Sequence, residues 1–181
     1  MFDYKKFEND LVAAMETTLH NWAEEYDDIY ILSLDCARDM TSVGMMANTE
    51  QHLNEESDAE DDDYWFYKYC EEEWELFEAG GLAKEISSYM RQYAEENDAR
   101  FTDPETFEFT EEFDEHCDQM IDACERAIRR LRQSVHQDFP KLLLAFHIRE
   151  YLDDEDRAEF FASVNSKEAS KEYAAHIEDF N

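Results

Sequence analysis

Three pairs in this chain set a carboxylate and an imidazole four residues apart: Glu16 with His20, Glu112 with His116, and Glu172 with His176. In stretches that read as helix, this spacing puts both groups on one face, where they could share a proton or a metal ion. Carboxylate-bridged di-iron bundles use Glu-x-x-His, three apart, and that spacing is absent. The pairs therefore read as ordinary i, i+4 neighbours on helix surfaces. Cys117 and Cys124, seven apart, share a helical face next to His116, but no Cys-x-x-Cys or His-x-x-x-His supplies the remaining ligands. Both thiols fall on an apolar stripe, so they read as core. The three glycines, Gly44, Gly80 and Gly81, form no phosphate-cradling loop, and no serine sits in a nucleophile elbow. The reading is no catalytic residue, no metal and no cofactor.

What the chain does have is acid in concentrated form. Glu55, Glu56, Asp58, Glu60, Asp61, Asp62 and Asp63 stand together with no base among them, and Glu71, Glu72 and Glu73 follow closely. Like charges this close repel, so the stretch is either a solvated loop or a landing surface for lysines and arginines of a partner, with the neighbouring aromatics as anchors. Glu105, Glu108, Glu111, Glu112, Asp114 and Glu115 form a second acidic group, which also suits the N-terminus of a helix. The chain as a whole carries a net charge of −32, from 48 Asp and Glu against 16 Lys and Arg. That balance makes nucleic acid and anionic membranes poor partners and a basic protein a good one.

The elements that must position these residues can be read from periodicity. With 13 Phe, 10 Tyr and 3 Trp in 181 residues, the chain has the apolar mass for a folded core, read as one domain over 1–181. Phe7, Leu11, Met15, Leu19 and Trp22 predict an amphipathic helix over Tyr4–Glu25. Ile29–Cys36 and Ser42–Ala47 read as a hairpin, and Asn48 or Thr49 as the cap of a short helix through Leu53. Tyr64–Tyr69, with five aromatics in six positions, predicts a strand, Glu71–Phe77 a helical turn, and Leu82–Glu96 a helix. Asp103-Pro104-Glu105 is expected to open another helical region. Thr110 is expected to cap a long helix to Val135, with acids in its first turns and arginines in its last. Leu142–Ile148 is a continuous apolar run, the pattern of a central strand covered on both faces. Asp153–Ser163 and Ser166–Ile177 close the chain as helices. The fold class is α+β: a small, mainly antiparallel sheet of about four strands covered by helices.

The segment Tyr64-Trp65-Phe66-Tyr67-Lys68-Tyr69-Cys70-Glu71-Glu72-Glu73-Trp74-Glu75 resembles the bacterial domain of unknown function 4303 family, with its aromatic run followed by a Glu-Trp pair. The strand Tyr30–Asp35 leading into Met46-Ala47-Asn48-Thr49, and Val164-Asn165, agree with that family. The acidic loop Glu55–Asp63 has no counterpart in its pattern. The resemblance implies a mixed α/β domain without an established activity, of a kind often suspected to be immunity proteins. The expectation is an acidic, non-enzymatic binding protein, an immunity-type inhibitor that occludes a basic toxin or nuclease. A carboxylate-based or metal-dependent hydrolase and a DNA-mimic regulator are the alternatives. MFDYKKFEND at the start has no apolar signal core and no run approaches a membrane span, so the expected compartment is the cytoplasm, with reduced thiols.

Overall fold

The largely apolar run Ile29–Cys36 forms β1, an inner strand that pairs on both sides. A computed structural model describes residues 1–148 and 151–177. Val43–Thr49 (β2) returns antiparallel to β1, pairing Leu32 with Ala47 and Leu34 with Met45, as the hairpin reading expects. Leu76–Glu78 (β3) adds a short antiparallel strand to β2, and Leu143–Ile148 (β4) lies parallel to β1 on its other side. The order is β3-β2-β1-β4, so the sheet is mixed, with two antiparallel pairings and one parallel.

The helices are α1 (Tyr4–Ala23), α2 (Glu50–Glu56), α3 (Tyr64–Tyr69), α4 (Gly81–Phe101), α5 (Glu111–Val135), α6 (Asp154–Val164) and α7 (Lys167–His176). Caps fall where the side chains allow: the oxygens of Asp3, Thr49, Thr110, Asp153 and Ser166 each accept a first-turn N–H. Leu32, Leu34, Met45, Ala47, Leu144 and Phe146 face the stripes of α1, α4 and α5 in the main core. At about 1.5–3 kcal/mol for each large apolar side chain buried, this face supplies most of the hydrophobic stabilisation. Cys117 and Cys124 lie inside it, and burial pushes the Cys117 thiol up to about 12. The opposite face gathers Ile31, Leu53, Tyr69, Trp74, Ala145, Phe161 and Tyr173 into a second cluster. A register shift between Ile29 and Ile31 lets adjacent Tyr30 and Ile31 both join it.

Four expectations are corrected. The aromatic run Tyr64–Tyr69 is helix α3, because its rings pack one turn apart against α7. Glu71–Phe77 divides into a 3-10 turn at Glu71–Glu73 and strand β3. Asp103-Pro104-Glu105 opens a turn closed by a bridge between Thr102 and Phe109, not a helix. The apolar strand β4 lies at the sheet edge; its continuous hydrophobicity reflects helices over both faces, not strands on both sides.

Side chains take up ladder groups at one point on each flank of the sheet. On β4, the Asn165 amide accepts from the Leu144 N–H (2.9 Å) and donates to the Leu144 carbonyl (2.7 Å), as a neighbouring strand would. Where β3 stops short along β2, the Ser87 hydroxyl accepts from the Val43 N–H (3.0 Å) and donates to its carbonyl (3.3 Å). Replacing Asn165 with Ala strands both Leu144 groups and should lower stability in urea unfolding by at least about 1–3 kcal/mol. Unchanged stability would show that water replaces the amide without loss.

At the other end of the core, His116 is buried among Phe2, Tyr93 and Phe101 and hydrogen-bonds the Tyr4 hydroxyl through Nδ1 (2.7 Å). Burial pushes its pKa down from 6.5 to about 4. A folded-state pKa below that of the unfolded chain gives stability that is present above 6.5 and lost as pH falls towards 4. The wild-type protein should therefore lose urea resistance between pH 7 and pH 5, and His116→Leu should lose measurably less. Equal losses in the two proteins would remove His116 as the cause.

Candidate partner-binding surface

The acidic stretch hangs between two anchored helices. At its start, the Thr49 hydroxyl accepts from the His52 N–H (3.1 Å) and hydrogen-bonds the Glu75 carboxylate, while Asp28 Oδ2 accepts from the Gln51 N–H (2.7 Å). α2 stops at Ser57, which is buried and donates its N–H to the Leu53 carbonyl. Beyond it the chain makes its own turn: Asp61 Oδ2 accepts from the Asp58 N–H (3.0 Å), and the Asp61 N–H donates to the Asp58 carbonyl (2.9 Å). Donation by the Asp58 N–H to the Asp61 carboxylate offsets part of the repulsion among the acids.

α3 holds the other end. Lys68 reaches Glu172 of α7 (2.5 Å) and lies 5.0 Å from the Trp65 ring centroid, while Trp65 stacks on His176 at 4.4 Å. The Tyr30 hydroxyl donates to the Lys68 carbonyl (2.7 Å), tying α3 to β1. The aromatic run thus acts as a fastener between the loop and the core.

On this scaffold Glu55, Glu56, Asp58, Glu60, Asp61, Asp62 and Asp63 are all exposed, and none forms an ion pair among the described residues. Glu72 is also exposed, and Glu73 is half-buried, its carbonyl against His52 Nε2 (3.0 Å). Glu71 does not belong to this surface. It is buried, with Oε1 accepting from the Ser33 hydroxyl (3.3 Å) and Oε2 paired with Arg157 (3.4 Å), itself buried on α6. Desolvation raises the Glu71 pKa, and the Arg157 guanidinium opposes that rise. The three consecutive glutamates therefore divide by position on a 3-10 turn: Glu71 inward, Glu72 outward and Glu73 half-buried between them.

Sequence reasoning missed Arg157 and Ser33, whose pairing with Glu71 joins segments far apart in the chain. It also missed Phe107. In the second acidic group Glu105, Glu108, Glu111, Glu112, Asp114 and Glu115 are exposed, and Arg100 neutralises Glu112 (2.8 Å). Phe107 stands among them 81% exposed, at a backbone φ of 61 that non-glycine residues rarely adopt. Asp103 fixes this turn by accepting from the N–H groups of Glu105 and Thr106. Among the described residues, no group of three or more His, Cys, Asp or Glu side chains could hold a metal ion.

A family model for the Domain of unknown function (DUF4303) matches residues 8–166, and the chain belongs to that family. No curated protein and no solved structure matches the chain.

Removing one partner of the buried pair leaves the other charge uncompensated. Glu71→Ala should cost about 3–5 kcal/mol in urea unfolding, and adding Arg157→Met should restore most of it. A double variant as unstable as the two single losses combined would show that the two charges do not depend on each other.

Proposed function

We propose that this member of the domain of unknown function 4303 family is a non-enzymatic, cytoplasmic binding protein that occludes a basic partner, as an immunity-type inhibitor occludes a toxin or nuclease. The observation that carries the reading is the set of seven exposed carboxylates, without an ion pair among the described residues, that runs from Glu55 and Glu56 in the last turn of α2 to Asp63 before the aromatic fastener of α3. Bases nearer the core are already engaged: Lys5, Arg126 and Arg130 surround Glu8, Arg157 meets Glu71, and Lys68 meets Glu172. Among the described residues the acids of the loop have no such basic partners, and they present their charge to solvent.

Such a surface complements a groove built to receive phosphates. Its field would speed encounter with that groove and, once docked, fill the places that phosphates take. The same sign of charge disfavours nucleic acid and anionic lipid as direct ligands. No helix among the described residues is long and apolar enough to cross a membrane.

The test starts from a basic protein co-purified with the native chain and identified by mass spectrometry, with binding kinetics then followed at low and high salt. Replacing Glu55, Glu56, Asp58, Glu60, Asp61, Asp62 and Asp63 by Gln or Asn should slow association at least about tenfold and flatten its salt dependence. If the neutralised protein associates as fast as the native one, this loop is not the binding surface.

A further inference from the structure

A cleft of about 490 Å³ opens where α5 ends and β4 begins. Its ionisable lining consists of Arg132, His136 and Lys141, with no carboxylate, in a chain that carries 48 acids against 16 bases. The contrast is local as well. Arg126, Arg129 and Arg130, within the two preceding turns of the same helix, each meet a carboxylate. Arg132 meets none. It donates instead to neutral oxygens: Nε to the Val164 carbonyl (3.1 Å), and Nη2 to the Leu142 carbonyl (2.5 Å) and Asn165 Oδ1 (3.1 Å). Its Nη1 makes no hydrogen bond among the described residues, and neither Lys141 nor His136 is ion-paired there.

A half-buried guanidinium without a counter-charge is costly, and an oxyanion in the cleft would remove that cost. Arg132 Nη1 supplies a guanidinium N–H held in place by the other three hydrogen bonds, and Lys141 a mobile point charge, two cationic donors that suit a tetrahedral dianion. Pro140, Leu143 and Val164 give the same cleft an apolar wall, and its volume is that of a small-molecule site.

We infer that this cleft binds a phosphoryl group, either as inorganic phosphate or as the phosphate of a small organic ester. The site shares no residue with the acidic loop and stands independently of the proposed partner.

Isothermal titration with inorganic phosphate and with phenyl phosphate, at constant ionic strength, tests it. Saturable binding of either is expected. The exposed double variant His136→Gln/Lys141→Gln, with its fold checked by circular dichroism, should bind at least about tenfold more weakly. Phenyl phosphate binding more tightly points to an organic ester, whose ring would use the apolar wall. Inorganic phosphate binding as tightly or more tightly points to the free ion. Absence of saturable binding by both, or a double variant that keeps the native affinity, overturns the inference.

Discussion

The Glu71–Arg157 pair is a charge withdrawn from water, and the second face of the sheet is organised around it. Glu71 comes from the turn after α3, its hydroxyl donor Ser33 from the middle of β1, and Arg157 from α6. Desolvation makes such a pair no great source of stability, but it tolerates few alternative arrangements, because each partner is expensive to leave alone. It therefore fixes where α3 ends and α6 lies. The aromatic helix immediately upstream can then dock on α7, and the acidic loop before it is directed outward.

The two faces of the sheet divide the work accordingly. The face under α1, α4 and α5 is a conventional apolar core whose residues can be exchanged for others of similar volume at modest cost. The other face mixes rings with hydroxyl, amide and ionic groups, including Tyr30, Ser33 and Asn48, whose partners must be in place. Specific geometry belongs to this second layer, and it is from this layer that the loop is suspended.

What could be read from sequence follows the same division. Elements bounded by periodicity and caps were legible: the stripes of α1 and α5, the hairpin β1–β2, and the caps at Thr49 and Thr110. Tyr64–Tyr69 was not, since five aromatics in six positions favour a strand locally, while contacts from distant segments, the rings of α7 and the Glu172 carboxylate among them, hold the helix. The apolar run of β4 signalled helix cover on both faces but could not signal an edge. In the candidate surface, the exposure of Glu55–Asp63 followed from composition. The withdrawal of Glu71 did not, because the residue that draws it in lies 86 positions away.

The side-chain pairing of Leu144 and Val43 bears on how so acidic a protein behaves when its charge is lost. Mutual repulsion keeps copies apart while the carboxylates are ionised, and that protection disappears once acid or a tightly bound cationic partner neutralises them. The Leu144 amide and carbonyl are already satisfied by Asn165, and those of Val43 by Ser87, so a second chain finds no open ladder to extend at these points. Two separate devices here oppose pairing between copies, one electrostatic and conditional, the other built into the hydrogen-bonding of the fold and indifferent to pH.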